Sequence, residues 1–68
     1  MSARTELLEE VELVRSLAIA HAVACYDLAD ASIDSPGRSE ARRAMRATKA
    51  NLHTALDRLT ALVKESVA

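Results

Sequence analysis

His21 and Cys25 stand four residues apart, the separation that brings two side chains onto the same side of consecutive helical turns. An imidazole and a thiolate so placed are both zinc ligands, and two such pairs brought together by a dimer axis would supply a two-His, two-Cys set. A Cys–His pair is also the starting material of a nucleophile. That chemistry needs an open thiolate, an oxyanion-stabilising group and a third group to orient the base. The surroundings supply none of these. The pair lies in the apolar run Leu17-Ala18-Ile19-Ala20-His21-Ala22-Val23-Ala24-Cys25-Tyr26, with no glycine-rich loop beside it. The simpler reading makes Cys25 a small hydrophobe and His21 a core residue hydrogen-bonded to Thr48 or to a backbone carbonyl. No catalytic, cofactor or metal residue is assigned, and the chain is not expected to be an enzyme. A metal-stapled bundle through His21 and Cys25 is kept as a lesser alternative.

Arg38, Arg42, Arg43 and Arg46, with Lys49, form the one basic cluster, opposed locally by Glu40. Such residues can grip nucleic-acid phosphates with salt-dependent affinity. Against this, the chain has a formal net charge of −1, one Tyr, no Phe and no Trp, so there is no aromatic interleaving on which bases could stack. His53, with Asp57 one turn on, belongs to a polar face. Glu9, Glu10 and Glu12 lack the Glu-x-x-His spacing of di-iron bundles.

The elements that must position these groups are helical. Ala, Leu, Glu and Arg dominate, and the single Gly and single Pro fall together at Pro36-Gly37. Apolar spacing places helix 1 at about 3–33, a turn at about 34–38 and helix 2 at about 39–66, all in one domain. Ser2 or Thr5 can cap the first helix. Ser35, with Pro36 at the first helical position, can cap the second, and Ser39 competes with it. In helix 1 a heptad-like seam runs through Leu7, Val11, Val14, Ala18, His21, Cys25, Leu28 and Ser32. Its polar wedge is narrow and interrupted by Val23, and Ile19 and Tyr26 form an apolar shoulder. Helix 2 has one dry stripe that includes Leu52, Leu56, Leu59 and Val63, and a thoroughly polar back.

The short turn makes the helices antiparallel neighbours, and charge supports the pairing. Residues 1–34 carry two basic and seven acidic side chains, a net of −5, whereas residues 35–68 carry a net of +4. Asp27, Asp30 and Asp34 are expected near Arg38, Arg42, Arg43 and Arg46, and Glu6, Glu9 and Glu10 near Arg58 and Lys64.

A chain of 68 residues with one cysteine cannot rely on a large core or on internal disulfides. Oligomerisation is the remaining staple. The sequence therefore predicts an all-α protein, an antiparallel two-helix hairpin that dimerises into a four-helix bundle. Its oligomer seam comprises Leu7, Val11, Val14, Ala18, His21, Cys25, Leu28, Leu52, Leu56, Leu59 and Val63. Ala18 and Ala22 would allow close helix approach near the middle of helix 1. In length and helix pairing the architecture resembles the Rop-type RNA-binding hairpin dimers of plasmids; no residue motif is shared, so no site residue is carried across.

The leading expectation is a non-enzymatic regulator, adaptor or inhibitor that binds a partner protein through Ile19, Val23 and Tyr26. The alternative is a Rop-like nucleic-acid binder using Arg38, Arg42, Arg43 and Arg46. No signal peptide or membrane span is expected, because the start is acidic and the central apolar run falls short of about 20 residues. The lone thiol suits a reducing compartment, so the expected location is the cytoplasm.

Overall fold

Ser2 starts the first helix by local hydrogen bonding. It adopts an extended conformation (φ −77°, ψ 155°), its Oγ accepts the Thr5 N–H at 3.2 Å, and its carbonyl accepts the Glu6 N–H at 3.2 Å. Glu6 then sits in the first turn, where a carboxylate suits the positive end of the helix dipole. The computed structural model describes residues 2–31 and 35–67. Within them the chain is all-α: helix α1 (Ala3–Asp30) is followed by helix α2 (Pro36–Val67), packed antiparallel as a hairpin.

Helix α1 ends at Asp30, three residues before the position that apolar spacing suggests, because Ala31 leaves the helical region (φ −77°, ψ 139°). No basic residue lies in the last turn of α1, and Arg38 of α2 fills that role by donating from Nη1 to the carbonyls of Leu28 and Ala31, each at 3.4 Å. Ser32 and Asp34, assigned above to the seam and to an ion-pair cluster, lie outside the described residues.

Helix α2 begins at Pro36, the first helical position offered by the Ser35-Pro36 alternative and three residues earlier than the boundary at 39. The Ser35 carbonyl accepts the Arg38 N–H at 3.1 Å, and proline is tolerated at the first helical position because no intrahelical partner awaits its missing N–H. Gly37 is therefore helical, without a positive φ, and a Cβ there would meet only Ser35 Oγ at 3.9 Å. Gly37→Ala is expected to stabilise the fold by about 0.5–1 kcal/mol, read as a higher urea midpoint at unchanged slope.

The two helices meet along a heptad stripe. On α1 the residues shielded by α2 are Leu7, Glu10, Val14, Leu17, His21, Ala24 and Leu28; on α2 they are Arg38, Ala41, Met45, Thr48, Leu52, Ala55, Leu59 and Leu62. The hydrogen bond between His21 Nδ1 and Thr48 Oγ1, 2.9 Å, fixes the register. In that register Val14 is level with Ala55, Ala24 with Met45, and Leu28 with Ala41, so large side chains meet small ones and the axes can approach closely. Among the described residues only Ala24 and Ala55 are buried, at 6% and 1% exposure.

Glu10 is the flaw in this seam. Its Oε1 lies 3.5 Å from Arg58 Nη1, while its Oε2 is buried with no hydrogen-bond partner. Glu10→Leu removes that unsatisfied oxygen and adds buried apolar surface, and is expected to stabilise the hairpin by roughly 1–3 kcal/mol in chemical denaturation.

Candidate interaction surface

The buried stripe divides the rest of α1 into two edges and a back. Immediately before Leu7, Val14, His21 and Leu28 stand Glu6, Leu13, Ala20 and Asp27, which share one edge. Two shallow grooves between the helices run along it. One is bounded by Glu6, Glu9, Glu10, Arg58 and Leu62, the other by residues that include Val23, Asp27, Gly37, Glu40 and Ala44. Immediately after Glu10, Leu17 and Ala24 stand Val11, Ala18 and Cys25, which are exposed on the opposite edge. Leu56, Val63 and Lys49 of α2, also exposed, flank that same edge. The back of α1 carries Glu12, Ile19 and Tyr26, with Val23 one turn from each of the last two.

The expected seam is thus divided by the hairpin. Leu7, Val14, His21 and Leu28, with Leu52 and Leu59, lie between the helices, whereas Val11, Ala18, Cys25, Leu56 and Val63 remain open. Glu10, Leu17 and Ala24 occupy the inner positions in place of Val11, Ala18 and Cys25. Two heptads share Leu7, Val14, His21 and Leu28 and differ by one residue in the intervening position. Leu17, a larger aliphatic than Ala18, is the signal that favours the observed one. Cys25 is accordingly not enclosed in a dry seam within the hairpin; its thiol is exposed.

Around His21 the hydrogen bonds have a definite direction. Thr48 donates its hydroxyl proton to the Met45 carbonyl at 3.0 Å, so its oxygen accepts from His21 Nδ1–H. Cys25 Sγ lies 3.6 Å from Nε2 and 4.0 Å from Nδ1, against the imidazole ring and not along the lone pair of either nitrogen. His21 is therefore the hydrogen-bonded seam residue of the simpler reading. Among the described residues no group of three or more His, Cys, Asp or Glu side chains is placed to hold a metal ion.

The basic cluster is likewise divided. Arg38 caps the carbonyl end of α1, while Arg42, Arg43, Arg46 and Lys49 are exposed. Among the described residues the one ion pair is Glu10–Arg58, so the expected pairing of Asp27 and Asp30 with the arginines is not formed. Asp27 lies on the grooved edge and Asp30 toward the back of α1, while Arg42 belongs to the opposite edge of the hairpin. Glu6 and Glu9 line the groove that Arg58 also lines, and Glu10 alone among the three reaches ion-pair distance.

Ile19, Val23 and Tyr26 are 57%, 56% and 75% exposed on successive turns. No helix among the described residues is long and apolar enough to cross a membrane. No family model, curated protein or solved structure matches the chain.

Proposed function

We propose that the protein is a non-enzymatic interaction module, a helical hairpin that works as a homo-oligomer in the cytoplasm and holds a partner protein as a regulator, adaptor or inhibitor. The observation that carries this reading is the exposure of Ile19, Val23 and Tyr26 together, spaced four and three residues apart on a helix whose opposite side already packs on α2. Contiguous exposed apolar surface marks interaction sites, and tyrosine is enriched in them because its ring is apolar and its hydroxyl stays wet. The free thiol of Cys25 suits a reducing compartment.

The test compares immobilised wild type with a variant carrying Ile19→Glu, Val23→Lys and Tyr26→Glu, matched for helicity by circular dichroism. A protein retained from host extract by the wild type and lost by the variant supports the reading; identical retention contradicts it.

A second reading has its own observation, since Arg42, Arg43, Arg46 and Lys49 are exposed without an ion-pair partner among the described residues. Nucleic-acid binding through them would weaken steeply with salt. Neutralising three of these charges would flatten the log–log salt slope by about 2–3 on duplex DNA, read in a gel-shift series.

A further inference from the structure

We propose that α1 pairs antiparallel with α1 of a second copy of this chain, about Ala18, along the open stripe that runs from Leu8 through Val11, Ala18 and Cys25 to Ala29. The pairing rests on the homo-oligomer part of the function proposed above, and adds the face and the orientation.

Area points to the occupant. The hairpin exposes 5201 Å² at a mass of 7.3 kDa. A compact monomer of that mass exposes about 4,200 Å². The excess of roughly 1,000 Å² matches what one partner buries in a standard interface, about 800 Å². Closing the stripe with a second copy would cover apolar surface by the same kind of helix-on-helix contact that already joins α1 to α2.

Spacing and size give the geometry. Leu8, Val11, Arg15, Ala18, Ala22, Cys25 and Ala29 alternate three and four residues apart and are all exposed, so α1 carries a second heptad seam beside the one that meets α2. Side-chain size falls along it, with Leu8, Val11 and Arg15 at one end and Ala22, Cys25 and Ala29 at the other. A two-fold interface must be complementary to itself. Antiparallel pairing about Ala18 satisfies this: Val11 is level with Cys25 of the second copy, and Leu8 and Arg15 fall within one residue's rise, about 1.5 Å, of its Ala29 and Ala22. Parallel pairing would set large residues against large ones and Arg15 against Arg15, a like-charge contact, and would leave a gap at the alanine end. The antiparallel arrangement holds the two Cys25 residues about 21 Å apart along the axis, fourteen residues at 1.5 Å each. It leaves Ile19, Val23 and Tyr26 outside the pair, and it keeps the two His21–Cys25 pairs from sharing a metal ion.

The orientation is read by thiol cross-linking of the full chain. Under mild oxidation Val11→Cys should give a covalent dimer whose mapped disulfide joins positions 11 and 25, within the Cα separation of about 4.4–6.8 Å that a disulfide needs. Wild type should give no Cys25–Cys25 disulfide. In unaltered protein, alkylation of Cys25 should slow at least about tenfold as concentration rises through association. A Cys25–Cys25 disulfide in wild type overturns the antiparallel register while leaving the oligomer reading intact, as does a dimer in which Val11→Cys fails to cross-link. A folded monomer with Cys25 equally reactive at every concentration overturns both and assigns the stripe to a different protein.

Discussion

Ala55→Glu should leave the chain without cooperative helical structure. Ala55 is 1% exposed, the most enclosed residue among those described, and in the His21–Thr48 register it is level with Val14. A larger side chain there forces the axes apart, at a cost of about 1–3 kcal/mol for overpacking. The carboxylate adds a desolvation cost, which Arg58, one turn along α2 and already within ion-pair distance of Glu10, offsets only in part. A folded chain of this length has a total margin of about 3–10 kcal/mol, so the two effects together exceed or nearly exceed it. The expected reading is loss of most of the 222 nm circular dichroism and of any sigmoidal melt. Ala61→Glu, an exposed alanine on the same helix, should change neither by more than about 0.5 kcal/mol. Retention of a cooperative melt by Ala55→Glu would mean that the two helices do not meet along this stripe.

Charge substitutions at Ile19, Val23 and Tyr26 are expected to have the opposite character, with little effect on folding and a large effect on binding. All three are more than half exposed, so the hairpin loses no seam contact when they change. Residues that anchor an interface each contribute 2 kcal/mol or more on truncation, about 30-fold in affinity, and Tyr is among the types that most often do so. Loss of two such anchors should weaken partner binding by about a thousandfold, enough to remove it from a micromolar titration. Titration calorimetry or surface plasmon resonance against the retained partner measures this directly. If the variants bind within a few-fold of wild type while Leu56→Glu and Val63→Glu abolish binding, the partner sits on the edge of the hairpin and the back of α1 is merely exposed.

Local chemistry made much of the fold legible in the sequence. Pro36 marks the start of the second helix, Ser2 is a favoured cap, and of the dry stripe expected on the second helix Leu52 and Leu59 pack on α1 while Leu56 and Val63 stay exposed. Thr48 as the partner of His21 was also readable, because a histidine in a seam needs a polar neighbour and few are available. The inner seam of the first helix was ambiguous for a physical reason. Its residues are apolar on several sides, so hydrophobic periodicity gives two overlapping heptads and no decisive phase. A glutamate at position 10 lies inside, against every polarity rule, while Val11 lies outside. The start of α2 at Pro36 was readable from the proline itself. Apolar spacing carried α1 three residues too far, and the contacts of Arg38 with the Leu28 and Ala31 carbonyls at that end are between helices, which local spacing does not encode. The ion pairs anticipated at Asp27 and Asp30 failed for the same reason: net charge favours antiparallel pairing but says nothing about which edge each side chain occupies.

The claim on which the function depends is that so thin a hairpin does not stand alone in water, and sedimentation equilibrium combined with circular dichroism over a dilution series tests it most directly. The account requires a mass of at least twice 7.3 kDa at micromolar concentration, with mass and helicity falling together on dilution as separated hairpins melt. A particle of 7.3 kDa that keeps its full helicity across the whole series, with Val11, Ile19 and Tyr26 open to solvent, would contradict it.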